Sequence, residues 1–206
     1  MAGLLANFRN TVIVSVVLAL IMLYAYATAA GGADERFWQA LLRWAHVFSG
    51  ILWIGLLYYF NFVQIRKMPD IPAELKPAVG KHIAPEALFW FRWSALATVL
   101  AGLALAFSRG HAYAVETLSL GLVGGYGEGD GGFTLLGVGV WLAIVMFINV
   151  WGFIWPNQKI ALGIKEGYDA DAKAKAAKTA MLFSRTNLLL SLPMLTSMTM
   201  YQTLFG

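Results

Sequence analysis

Cysteine is absent from all 206 residues. Its absence removes disulfides, thiolate metal centres and iron–sulfur clusters, and excludes covalently attached c-type haem, which needs a Cys-x-x-Cys-His run. Charge is also scarce. Asp, Glu, Lys and Arg make up 13% of the chain, about half of what soluble domains carry. Hydrophobic residues make up 59% and are gathered into long blocks, so the chain reads as an integral membrane protein in a lipid bilayer. The net charge of +4 is not a nucleic-acid footprint. The basic residues fall between the apolar blocks, where they act as topology signals.

Several stretches approach the ~20 apolar residues that a bilayer requires. They lie at about 11–30, 37–64, 87–108, 133–155 and 179–204. The expected fold is an all-α integral membrane bundle of five transmembrane helices, forming a single transmembrane domain over 1–206. A removable signal peptide is the weaker alternative for the first stretch, which is too long and ends in a poor cleavage site. Arg66, Lys67, Lys76 and Lys81 fall between the second and third spans. Lys159, Lys165, Lys173, Lys175 and Lys178 fall between the fourth and fifth. The positive-inside rule then makes the N-terminus cytoplasmic and the C-terminus periplasmic. The glycine-rich segment 124–132 lacks the Lys and Ser or Thr of a phosphate loop and reads as a flexible connector. The segment 165–178 reads as a solvated helical lead-in to the last span.

Histidine is rarer still than charge, and one of the three, His46, lies inside a membrane-length stretch. An ionisable ring among lipid-grade residues needs a partner: a metal, a haem iron or another side chain. His46, Gly50, Trp53 and Leu57 share one helical face. Gly50 lets a flat group approach the backbone beside the imidazole, and Trp53 can stack on it, as a b-type haem requires. Plain helix packing on small residues explains the same pattern. His82 lies in a cytoplasmic loop, too far along the helix axis to share an iron with His46. His111 follows the third span on the correct side and is the one histidine placed to be a second haem ligand, the alternative being a hydrated interfacial residue.

Arg92 and Arg185 both enter the cytoplasmic ends of their spans. Each reads as an interfacial residue snorkelling among aromatics. The sharper alternative joins them with Asn149, Asn157, Gln158 and Asn187 in a polar cluster for an anion, a haem propionate or a quinone headgroup.

Four segments carry a family resemblance. They are Arg43-Trp-Ala-His46-Val-x-x-Gly50-x-x-Trp53-x-Gly55, Pro85-Glu-x-Leu-x-Trp-Phe-Arg92-Trp93, Asn149-Val-Trp-Gly-x-Ile-Trp-Pro156-Asn-Gln-Lys159, and Ser184-Arg185-x-Asn187 with Leu192-Pro193. In order and spacing they resemble the membrane domain of the cytochrome c-linked urate oxidase (urate hydroxylase) family, from about Leu41 onward. The resemblance implies a redox-associated protein of a bacterial inner membrane, a subunit or paralogue in an electron-transfer system. It would be a membrane-bound oxidoreductase if it is an enzyme. Its partners would be other membrane subunits or a c-type cytochrome, and its cofactor haem b on His46, with Arg92 and Arg185 neutralising propionates. The family's cytochrome domain is expected to be absent from this cysteine-free chain. The chain also has Ser94, Thr186 and Gln202 where the family pattern has an acid and two histidines. The alternative is a haem-free structural accessory subunit of a larger respiratory or photosynthetic complex. A small transporter is a weaker third reading, because inverted repeats are not evident.

Overall fold

The computed structural model describes residues 2–123 and 131–205, so most of the glycine-rich connector lies outside the described residues. Every regular element among them is helical. The chain forms two compact units, Met1–Leu41 and Leu42–Gly206.

The first unit is dominated by α1 (Phe8–Ala29), whose first turn is closed by the Asn7 side chain accepting from the Asn10 N–H at 3.1 Å. None of its residues is buried. A helix that is apolar all round and has no buried face belongs in lipid rather than water. The next helix, α2 (Glu35–Tyr58), starts where the Asp34 carboxylate accepts from the Phe37 N–H at 2.8 Å.

In the second unit α2 runs on through a π-helical turn, Tyr59–Gln64. Then follow α3 (Ala84–Ser108), α4 (His111–Leu118), α5 (Gly131–Ile148) and α6 (Ala170–Leu204). Further π-helical turns precede α3 at Val79–Ile83 and extend α5 at Asn149–Ile154. Gly110, at φ +112°, breaks α3 from α4 in a conformation that side-chain-bearing residues avoid.

Four stretches are long and apolar enough to cross a membrane: Phe8–Ala29, Glu35–Asp70, Lys76–Ser108 and Gly131–Ala161. They coincide with the first four expected spans. The fifth expectation falls within α6, which starts earlier than 179 because Asp169 caps it, accepting from the Ala172 N–H at 2.7 Å. The lysines of its first turns and the Ser, Thr and Asn of its remainder keep α6 out of that apolar group.

The core of the unit is built from Trp53, Leu57 and Phe60 of the α2 rod, Leu88, Phe91 and Ala95 of α3, Met146, Val150 and Ile154 of the α5 rod, and Met194 of α6. Phe60 meets Phe91 edge-on at 5.5 Å. Asn187 and Ser191 are both fully enclosed. Asn187 accepts from Asn149 Nδ2 at 2.8 Å and donates to the Met146 carbonyl at 2.9 Å, so α5 and α6 are joined by a satisfied pair rather than by apolar contact alone.

The two helices approach most closely at Gly139, where a Cβ would run into the Ser197 side chain. Ser197 in turn donates to the Leu135 carbonyl. Gly139→Ala should therefore overpack this crossing and cost about 1–3 kcal/mol. The measurement is a lowered denaturation midpoint of the detergent-solubilised protein. An unchanged midpoint would mean that the helices are not held this close.

Candidate functional site

The His46 imidazole is fixed by one contact. Its Nδ1 lies 2.8 Å from the Thr98 carbonyl oxygen on α3. A carbonyl only accepts, so Nδ1 carries the proton and donates. In the neutral ring this leaves a lone pair on Nε2, which has no hydrogen-bond partner among the described residues. The Thr98 carbonyl can take this bond in addition to its helical one because it has two lone pairs. The ring also lies against Gly102, one turn further along α3. A Cβ there would stand 2.8 Å from both Cε1 and Nδ1, and 3.7 Å from Nε2.

Gly102, rather than Gly50, is therefore the position that a side chain would block. A Cβ on Gly50 would make an ordinary 3.6 Å contact with the Thr98 methyl. Nothing in the alanine- and leucine-rich run around Gly102 marks it in the sequence. The pairing with a residue on another helix exists only in three dimensions.

Beside the ring opens a cleft of about 660 Å³ between α2, α3, α5 and α6. That volume suits a drug- or cofactor-sized ligand. His46, Gly50 and Trp53 line it from α2, Thr98 and Gly102 from α3, Val140 from α5, and Met194, Met198 and Gln202 from α6. Its walls are overwhelmingly apolar, and no Asp or Glu is among them. Gln202 faces the same cleft as His46, although it stands 156 positions later in the chain. Trp53 is fully buried, and its indole N–H has no partner.

Other expected site residues lie elsewhere. His111 is exposed, its ring 6.3 Å from that of Phe107, and it does not line the cleft. Arg92 and Arg185 do not line it either. The Arg92 guanidinium sits 3.9 Å over the Trp155 ring and 5.3 Å from Phe89, with Nη1 buried and unpartnered. Arg185 is exposed. Of the expected polar cluster, Asn149 and Asn187 pair with each other, while Asn157 donates back to its own helix at Phe153 (2.8 Å). Gln158 is half-buried. Asn61, which donates to Leu57 O and Ser184 Oγ at 2.9 Å each, was not foreseen. Buried oxygens of Asn61 and Gln64 and the Trp151 N–H lack partners. Two of the π-helical turns carry these three residues, and such turns recur at functional positions.

Two arginines not expected at the site line the cleft: Arg43, which opens the first of the family-like segments one turn before His46 on α2, and Arg109 at the end of α3. Arg109 is held by Tyr113, whose hydroxyl accepts from Nη1 at 2.8 Å and whose ring lies 4.4 Å from the guanidinium. Tyr113 passes its own proton toward Tyr201 at 3.3 Å. Burial, reinforced by the Tyr201 hydrogen bond, pushes the Tyr113 phenol above its usual range. As a phenol, Tyr113 gives Arg109 a hydrogen bond without a counter-charge, and Arg109 has no ion pair among the described residues.

No family model, curated protein or solved structure matches the chain. Function has to be argued from its own residues.

The Gly102 contact makes a prediction. Gly102→Ala should displace the His46 ring and remove the 2.8 Å bond, whereas Gly50→Ala should leave it in place. Nitrogen-15 NMR of the labelled histidines reads the result: one Nδ1-protonated ring in wild type and in Gly50→Ala, lost in Gly102→Ala. An unaffected signal in Gly102→Ala would contradict the geometry.

Proposed function

We propose that this chain is a redox-associated membrane protein that carries haem b in the cleft, with His46 Nε2 as the axial ligand. One observation carries the reading. The imidazole is oriented by the Thr98 carbonyl through Nδ1 and keeps its second nitrogen unpartnered beside a large apolar cleft. Metal-ligating histidines commonly show this arrangement, because a hydrogen bond to the remote nitrogen fixes the tautomer and raises the basicity of the other.

The residues present suit a porphyrin better than a bare ion. No group of three His, Asp or Glu side chains converges on a cation among the described residues. A porphyrin brings its own four nitrogens and asks only for an axial group and flat apolar walls. When bound, the cofactor supplies one-electron chemistry. The chain's part is to bind through His46, to orient that ring through Thr98 O and Gly102, and to exclude water with Trp53 and the aliphatic walls. A second imidazole is not offered by the cleft. Met194, Met198 and Gln202 stand on its α6 wall.

The resemblance to the membrane part of the cytochrome c-linked urate oxidases supports a place in an electron-transfer system of a bacterial inner membrane. Other membrane subunits or a c-type cytochrome would be its partners. Five spans with a cytoplasmic N-terminus and a periplasmic C-terminus remain the topology that the loop lysines favour. In α6, hydroxyls of Thr186, Thr196 and Thr199 bond back to Leu182, Leu192 and Leu195 at 3.1, 3.0 and 2.8 Å. That lowers the cost of placing this less apolar helix in lipid.

A second reading, a haem-free accessory subunit, draws on α1, where no residue is buried along 22 residues. An absorbance spectrum separates the two. Full-length protein produced with ample haem should show a Soret band that His46→Ala abolishes while His111→Ala retains it. A wild-type protein without the band would leave the accessory reading standing.

A further inference from the structure

The cleft is chemically lopsided. Most of its wall is aliphatic or aromatic, yet two arginines, Arg43 and Arg109, are among its lining residues. Both lie toward the same end. Phe60 meets Phe91, and His46 meets Gly102, so α2 and α3 run antiparallel. Counted from the His46–Gly102 contact, Arg43 is one turn back along α2, about 4.5 Å of rise. Arg109 is two turns forward along α3, about 10 Å. These displacements point the same way. Arg92 lies in the opposite direction along α3.

Neither arginine has an ion-pair partner among the described residues. The one ion pair among the described residues is Lys67–Asp70, at 3.1 Å in a surface turn. Arg43 makes no side-chain hydrogen bond among the described residues. Arg109 spends its bond on Tyr113, a neutral phenol that pins the guanidinium without cancelling its charge. Two arginines beside an apolar cleft whose described lining holds no Asp or Glu call for an oxygen anion supplied by whatever fills it.

We propose that Arg43 and Arg109 form the acid-binding end of the cleft and take the carboxylates of a flat amphiphilic dianion. Resting on the haem reading above, this makes them the propionate anchors, in place of Arg92 and Arg185. It also sets the direction of the ligand, with its acid edge toward α4 and its apolar edge toward Trp53. Tyr113 and Tyr201 are positioning residues, acting through Arg109.

The test titrates full-length protein in uncharged detergent with ferric haem and with its dimethyl ester, which has the same ring and iron but masked acids. Wild type should bind haem more tightly than the ester, by on the order of tenfold to a hundredfold, as expected for charge-assisted hydrogen bonds. Arg43→Gln with Arg109→Gln should bring the haem affinity down to that of the ester and leave the ester's unchanged. Arg66→Gln, outside the cleft, should change neither. Equal wild-type binding of haem and ester would overturn the anchoring proposal while leaving the haem reading intact. Binding of neither porphyrin would overturn both. If oleate occupies the cleft in an arginine-dependent way while neither porphyrin binds, the carboxylate belongs to a lipid and the dianion proposal fails. The wild-type comparison of haem with ester stands even if the double variant does not fold.

Discussion

The hydrogen bond from His46 Nδ1 to the Thr98 carbonyl is the constraint on which the site depends. It spans two helices, fixes which ring nitrogen carries the proton, and presses the imidazole onto a glycine that has no side chain to resist. In a low-dielectric interior such a bond also removes much of the penalty for placing an imidazole among apolar side chains. By itself it would make His46 a packing residue. What turns it into a ligand candidate is the cleft beside the ring and the nitrogen left over.

Much of the fold was legible because membrane helices write themselves into sequence as long apolar runs. The first, second and fourth spans match within a few residues at their starts, while the third begins well before 87, at Lys76; the second and fourth run on helically past their expected ends, to Asp70 and Ala161. Helical hydrogen bonds continue into polar flanks that hydropathy does not count. The α2 face of His46, Gly50 and Trp53 could be read from spacing alone, and all three line the cleft. The other walls could not. Gly102, Thr98 and Tyr113 become meaningful only through contacts between helices, and a single sequence carries no register between them. Arg109 was visible but looked like a loop charge, because composition cannot tell a rim arginine from a loop arginine, and Arg43 stood out only as the first residue of a family-like segment.

The end of the bundle away from His46 follows a different logic. There polar groups pair with one another: Asn149 with Asn187, Asn61 with Ser184, and Tyr58 with Ser191 at 3.2 Å. These bonds stitch α2, α5 and α6 together where small residues alone would not specify one packing. Arg92 lies over Trp155, whose ring also faces Lys159 at 5.7 Å, an arrangement suited to holding cations at an interface. The bundle therefore has a stitched end and an open end, and the open end contains the imidazole and two arginines that form no ion pair among the described residues.

The most direct measurement is pulsed electron paramagnetic resonance of the ferric protein with nitrogen-15-labelled histidine. A haem held by His46 predicts a strong coupling from one histidine nitrogen to the iron, absent in His46→Ala and retained in His82→Ala and His111→Ala. A coupling that survives in His46→Ala, or no histidine coupling to the iron in wild type, would contradict the account.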